Sequence, residues 1–214
     1  MEKDEDRAFK IKLILIGDSG VGKTNLINIS TGKQFNEGQI STTSCCFCVK
    51  RIELNNKRFN LYLWDTIGQE KLKSLTRIFF KNSKIVILVF DITHKDTFEG
   101  LNYWLKEVKD NLPDDTIIGV CGNKADLYME EQVSKEECEE YAKSINAKMA
   151  YTSAKDDKVG FNNFLIKLVQ DYYNANKKVD TKEINSKKEN NHNIVLNKKN
   201  NQKNKEKNNS NCCK

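Results

Sequence analysis

The sequence predicts an α/β fold built on a mostly parallel sheet, and three observations carry that reading. Six short apolar runs alternate with helical stretches along the chain, as strands and crossover helices do. A glycine-rich turn stands between the first apolar run and the first helix. A polar joint, Asn55-Asn56-Lys57-Arg58, links the second run to the third as a hairpin would, so one edge strand is expected to be antiparallel.

In chain order the strand-like runs are Ile11 to Ile16, Cys45 to Leu54, Phe59 to Trp64, Ile85 to Asp91, Thr116 to Cys121 and Lys148 to Thr152. The helical stretches are Gly22 to Ser30, Thr97 to Asn111, Ser134 to Ile145 and Gly160 to Asn174. The expected architecture is a six-stranded, doubly wound sheet with helices on both faces. A chain of 214 residues suits one such domain with appendages. The expected division is an extension at 1–8, the domain at 9–174 and a tail at 175–214.

The tail stands apart by composition. Twelve of its forty residues are Asn and eleven are Lys, with no aromatic side chain, so it cannot bury enough surface to offset the entropy of ordering and is expected to be a disordered tether. Its four acidic residues leave it at +7 against +6 for the whole chain, so residues 1–174 carry −1. The basic character thus belongs to the tail, which suits an anionic membrane surface, RNA or solubility alone, and no nucleic-acid partner is expected.

Targeting signals are few. The longest apolar run, Ile85 to Phe90, is too short to cross a bilayer. Met1 to Lys10 is charged and lacks a signal peptide's apolar stretch, and Glu2 excludes N-myristoylation. A cytosolic protein is expected. Seven cysteines, three of them crowded at Cys45, Cys46 and Cys48, argue against a disulfide framework, and the two histidines, His94 and His192, lie far from that cluster in the sequence, so zinc is not expected.

The chemistry begins at Gly17-Asp18-Ser19-Gly20-Val21-Gly22-Lys23-Thr24, which fits the P-loop pattern between a strand and a helix. There backbone N–H groups and the helix N-terminus surround phosphate oxygens, Lys23 reaches the β- and γ-phosphates, and the Thr24 hydroxyl ligates Mg²⁺. The base is argued from Asn123-Lys124-Ala125-Asp126 and Ser153-Ala154-Lys155, each following a strand. In a doubly wound sheet such loops converge on the ligand crevice. A carboxylate at Asp126 accepts both the N1–H and the exocyclic amine of guanine, a donor pair that adenine lacks. At Asp65-Thr66-Ile67-Gly68-Gln69-Glu70, Asp65 ends a strand as a second-sphere Mg²⁺ carboxylate should, the Gly68 N–H reaches a γ-phosphate, and Gln69 orients the attacking water.

With these motifs in order, residues from about 9 to 174 resemble the Ras superfamily of small GTPases. Trp64 before Asp65, Lys71-Leu72-Lys73-Ser74-Leu75, Phe79-Phe80 and Leu88-Val89-Phe90-Asp91-Ile92-Thr93 resemble its Rab family. The resemblance implies a GTP/GDP switch in vesicle traffic that hydrolyses GTP with Mg²⁺. It implies that Asn25 joins the P-loop residues at the nucleotide, that Phe35 packs edge-on against guanine, and that Thr42 supplies a second hydroxyl to the metal. It makes Phe47, Trp64 and Phe79 an aromatic triad read by effectors. An exchange factor, an activating protein and a dissociation inhibitor or escort protein are further expected partners. Adjacent Cys212 and Cys213 before Lys214 do not form a C-a-a-X box but resemble doubly geranylgeranylated Rab ends, which anchor stably where a single lipid would not.

Two departures from the family stand out. Thr42-Thr43-Ser44-Cys45-Cys46-Phe47 replaces the usual Thr-Ile-Gly-x-Asp-Phe, which alters the effector-facing segment. Ile67 replaces the usual Ala beside the γ-phosphate, where a β-branched side chain crowds Gly68 and Gln69 and implies slow hydrolysis. The alternative activity is therefore a module that holds nucleotide with little turnover. A P-loop kinase fits less well, because no arginine follows Arg77 to form a lid and Asn123 to Asp126 would go unexplained.

Overall fold

The computed structural model describes residues 8–38, 46–65, 79–157 and 159–177. In its first unit, residues 1–172, the elements are β1 (Phe9–Ile16), α1 (Lys23–Ser30), β2 (Cys46–Leu54), β3 (Lys57–Asp65), β4 (Ile85–Asp91), α2 (Lys95–Glu99), α3 (Leu101–Asn111), β5 (Ile117–Asn123), a 3₁₀ segment (Ala125–Glu130), α4 (Lys135–Ser144) and β6 (Lys148–Tyr151). A last helix, α5, begins at 160 and runs through 172. Of the second unit, residues 173–214, the described residues 173–177 are helical. No helix of the described residues is long and apolar enough to cross a membrane.

The six strands form one sheet in the order β2-β3-β1-β4-β5-β6. Five are mutually parallel, and only the edge strand β2 runs antiparallel to its neighbour, as the sequence predicts. The parallel strands are buried for a physical reason: crossover helices cover both faces, so a strand such as β4 is apolar from Ile85 to Phe90 and wholly buried. On one face Ile14, Val86, Leu88 and Phe90 pack with Leu101 and Trp104 of α3 and Cys138 and Ala142 of α4. On the other, Phe164 and Leu168 of α5 lie directly over Gly119, leaving no room for a side chain there.

Most element ends shift by one or two residues from the sequence reading, and two differences have a physical reason. The helix expected over Thr97 to Asn111 is two helices meeting at Gly100. A Cβ at Gly100 would stand 2.8 Å from an Asp18 carboxylate oxygen, so the joint is where the loop after β1 presses closest. The hairpin turn is also tighter than the four residues expected. Leu54 pairs with Lys57, leaving Asn55 and Asn56 at φ 52° and 57°. Both lie in the left-handed region that a two-residue type I′ turn demands and that Asn tolerates. By contrast α4 starts as predicted, with the Ser134 hydroxyl accepting from the Glu137 N–H and the Glu137 carboxylate accepting from the Ser134 N–H.

The turn is testable. Asn56→Val forces a β-branched residue into a positive-φ position and should lower stability by about 1–2 kcal/mol. Asn56→Gly should keep or slightly raise the urea midpoint of the full chain. Equal midpoints for the two variants would contradict the turn geometry.

Candidate functional site

Parallel strands place their carboxyl ends on one edge of the sheet, and the sheet order reverses about β1. The loops leaving β1, β4, β5 and β6 therefore open on a common crevice, and β3 ends beside it at Asp65. Register aligns their last residues: Leu15 lies beside Asp65, Asp91 beside Asn123, and Gly122 beside Tyr151.

The loop after β1 wraps a buried cation. Lys23 begins α1, is 5% exposed, and donates to the carbonyls of Gly17 and Asp18, each at 2.7 Å. Burial outweighs the pull of Asp65 and Asp18 and lowers its ammonium to about 8. Gly22 precedes it at φ 94°, and a side chain there would run into the Asn123 amide, so backbone and amide meet with no space for a Cβ. Thr24 donates from its hydroxyl to an Asp65 carboxylate oxygen at 2.7 Å. Ser19 and Gly20 lie at the exposed tip of the loop, whereas Val21 is buried.

Asn123 ties this loop to the others. Its side chain, 1% exposed, donates to the Val21 carbonyl at 2.8 Å and accepts from the Ala154 N–H at 3.1 Å. Lys124 takes a left-handed turn at φ 68° and sends its ammonium onto Asp91. Burial would raise the Asp91 carboxyl, but hydrogen bonds from Lys124 and Thr93 hold it below the ordinary value. Asp126 accepts from the Ser153 hydroxyl, and that oxygen in turn accepts from the N–H groups of Lys155 and Asp156 at 3.1 and 3.0 Å. One serine thus orients the carboxylate and closes the turn after β6.

Asp18, Ser19, Gly20, Val21, Gly22, Lys23, Thr24, Asn25, Asn123, Lys124, Asp126, Ser153, Ala154 and Lys155 belong to these converging loops and the start of α1. Phe35 lies in the loop after α1, half-buried. Thr42, Ile67, Gly68, Gln69, Cys212 and Cys213 lie outside the described residues. The aromatic trio does come together: the rings of Phe47 and Trp64 stack at 5.5 Å and those of Trp64 and Phe79 tilt at 6.2 Å. Phe47 is 57% exposed, and the Lys12 ammonium stands 4.5 Å from the Trp64 ring centre.

Several contacts escaped sequence reasoning. The Trp104 indole N–H donates to an Asp18 carboxylate oxygen at 2.9 Å. A buried stripe of Leu101, Trp104, Leu105 and Val108 on α3 could have signalled a tryptophan whose N–H needs a partner. The Asp91–Lys124 pair, the two hydrogen bonds between Asn25 and Asn36, and the contact of Lys155 with Glu37 join elements far apart in sequence and left no local signal.

The Mg²⁺ expectation can be tested on the donors present. A threonine hydroxyl and a buried carboxylate, held together at the head of α1, are hard oxygen groups of the kind Mg²⁺ prefers. Lys23 beside them supplies charge for phosphate. The residues fit.

A sequence profile of the Ras family matches residues 12–174. Over 152 residues the chain is 40% identical to the human Ras-related protein Rab-21, covering 71% of this chain and 68% of that one. The Rab-21 of the sponge Geodia cydonium is 40% identical over 149 residues, 70% of this chain and 65% of its own. The mouse Ras-related protein Rab-12 is 35% identical over 163 residues, 76% and 67% of the two chains.

Lys23 gives the site a pH signature. An anion bound beside it favours the charged ammonium, so above about 8 the free protein has lost a proton that the bound form retains. Affinity for a nucleoside diphosphate should be full below that pH and decline as pH rises through it. Calorimetry at about pH 9 in buffers of differing ionisation enthalpy should show uptake of up to about one proton, with little at pH 6.5. Equal proton counts at the two pH values would contradict this environment for Lys23.

Proposed function

The chain belongs to the Ras family, in the Rab branch of small GTPases, and from that premise we propose that it binds guanine nucleotide with Mg²⁺, hydrolyses GTP to GDP and phosphate, and acts as a switch in membrane traffic. The observation that carries the reading is Asn123. Its amide joins the loop after β1 to the loop after β6 while its own backbone leads to Asp126, so the phosphate-facing and base-facing residues form one continuous cradle.

Each residue then has a physical task. Lys23 exchanges its two carbonyl partners for β- and γ-phosphate oxygens, and exposed backbone N–H groups at Ser19 to Gly22 receive the rest of the polyphosphate. Asp126, oriented by Ser153, accepts the paired donors of guanine. Phe35 covers the base from the loop after α1, Thr24 and Asp65 hold the metal's side of the site together with Thr42, and Gly68 meets the γ-phosphate. Thr24, Thr42 and Asp65 would hold Mg²⁺, which would supply positive charge to offset the negative charge that develops on the phosphates during transfer. Gln69 orients the attacking water, and Ile67 beside it sets a low intrinsic rate. The two segments around Thr42 and Gln69 order around the γ-phosphate and relax after hydrolysis.

The same reading assigns Phe47, Trp64 and Phe79 to effectors, whose identity the altered Thr42-to-Phe47 segment makes particular to this chain. Exchange factors, activating proteins and a dissociation inhibitor or escort protein complete the cycle. Geranylgeranyl groups on Cys212 and Cys213 hold the protein on the cytosolic face of endomembranes. The tail's lysines assist by about 1 kcal/mol each near an anionic surface, which salt screens.

Base choice tests the core of this proposal. Wild-type protein should bind GTP in large excess over ATP, and Asp126→Asn should shift preference toward xanthine nucleotides, whose carbonyl accepts from the new amide. Equal competition by GTP and ATP for the wild-type site would overturn it.

Attachment is tested separately in cells. The double variant Cys212→Ser, Cys213→Ser should be recovered in the soluble fraction, and its presence in washed membranes at physiological salt would contradict the anchor.

A further inference from the structure

Resting on the guanine-nucleotide reading above, we infer that residues 35–38 are a strap fastened at both sides of the nucleotide cleft, and that Asn25 is the positioning residue whose grip on this strap sets how fast nucleotide leaves. Asn25 sits in the first turn of α1, one residue after Thr24, and is 8% exposed. Its amide nitrogen donates to the Asn36 carbonyl at 3.0 Å, and its amide oxygen accepts from the Asn36 N–H at 3.2 Å. The side chain thus satisfies both backbone groups of one loop residue, as a neighbouring strand would. Asn36 then accepts from the Gly38 N–H at 3.1 Å, which shapes the chain just beyond the clasp.

The other fastening is at the base side. The Lys155 ammonium lies 3.4 Å from a Glu37 carboxylate oxygen, and the Lys155 backbone N–H is held by the same Ser153 hydroxyl that orients Asp126. Consecutive residues Asn36 and Glu37 therefore connect the phosphate end of the cleft to its base end. Phe35, which covers the base in the proposed function, immediately precedes them.

The two fastenings are unequal. The side chains of Lys155 and Glu37 are 47% and 83% exposed, so water and salt screen that pair and it contributes little. Asn25 is buried, and its two hydrogen bonds are partly so. A buried amide in α1 is costly unless it is bonded, and the bonds it makes stabilise the strap rather than the helix. Asn36 itself is exposed, so water can serve its backbone when the clasp opens. The clasp therefore bears on the opening of the cleft more than on the stability of the fold.

Full-length protein loaded with a fluorescent GDP and chased with excess GDP reads this directly. Asn25→Ala should release nucleotide roughly tenfold faster, equivalent to about 1.4 kcal/mol. The acceleration should be alike for GDP and a non-hydrolysable GTP analogue, because the strap touches no γ-phosphate. Glu37→Gln should change release by less than about twofold, and only at low salt. Asn36→Pro deletes one bond of the clasp from the exposed side, leaves α1 untouched, and should also accelerate release. Wild-type rates in both Asn25→Ala and Asn36→Pro, or acceleration confined to the GTP analogue, would overturn the inference. Wild-type protein that takes up no labelled GDP would instead overturn the guanine-nucleotide reading, and this inference with it.

Discussion

The site depends on one buried amide. Asn123 ends β5 with both polar atoms of its side chain committed, one to the Val21 carbonyl and one to the Ala154 N–H. In an interior of low dielectric each such bond is strong and each lost partner costly, so the loops after β1 and β6 are held at a fixed separation from β5. Gly22 follows from the same constraint, because its backbone lies where any Cβ would strike the Asn123 amide. The left-handed turn at Lys124 follows too, since the chain must leave β5 and reverse at once to bring Asp126 to Ser153.

Around this amide the buried charges divide into two kinds. Asp91 is compensated from within, by Lys124 and the Thr93 hydroxyl and N–H, and is held ionised despite its burial. Lys23 is compensated mainly by carbonyl dipoles, and burial lowers its ammonium to about 8. A cation kept in that condition gains most from an incoming anion, whereas a fully paired one would resist the exchange. The fold therefore concentrates binding capacity at Lys23 and uses Asp91 to fix the geometry of Lys124.

The centre of the sheet was legible in the sequence because parallel strands covered on both faces become short continuous apolar runs, as in β4, whereas β3 was legible by its alternation of buried and half-buried residues. The hairpin was legible as a hairpin but not in its length: Asn55 and Asn56 accept positive φ, so the turn closes in two residues and Lys57 and Arg58 join the strand. The lack of room for a side chain at Gly100 was not legible, because it is Asp18, from a loop far away in the chain, that fills the space. The same holds within the site. Motif spacing named residues that the fold brings together at one end of the sheet, yet the bonds that place them, from Trp104 to Asp18 and from Asn25 to Asn36, arise only when separate elements pack.

This separation bears on how the chain departs from its relatives. Residues of the nucleotide cradle are locked by backbone carbonyls, N–H groups and buried amides, so a change in any one disturbs several loops. Phe47, Trp64 and Phe79 are joined by ring contacts at 5.5 and 6.2 Å; Trp64 and Phe79 are half-buried, and exposed Phe47 projects from the edge strand, where only one neighbouring strand constrains it. Ring stacking of this kind contributes about 0.5–1.5 kcal/mol beyond area burial and asks little of the residues before it. Asp65, across the ladder from Cys46 and tied to Thr24, stays under the geometric control of the cradle.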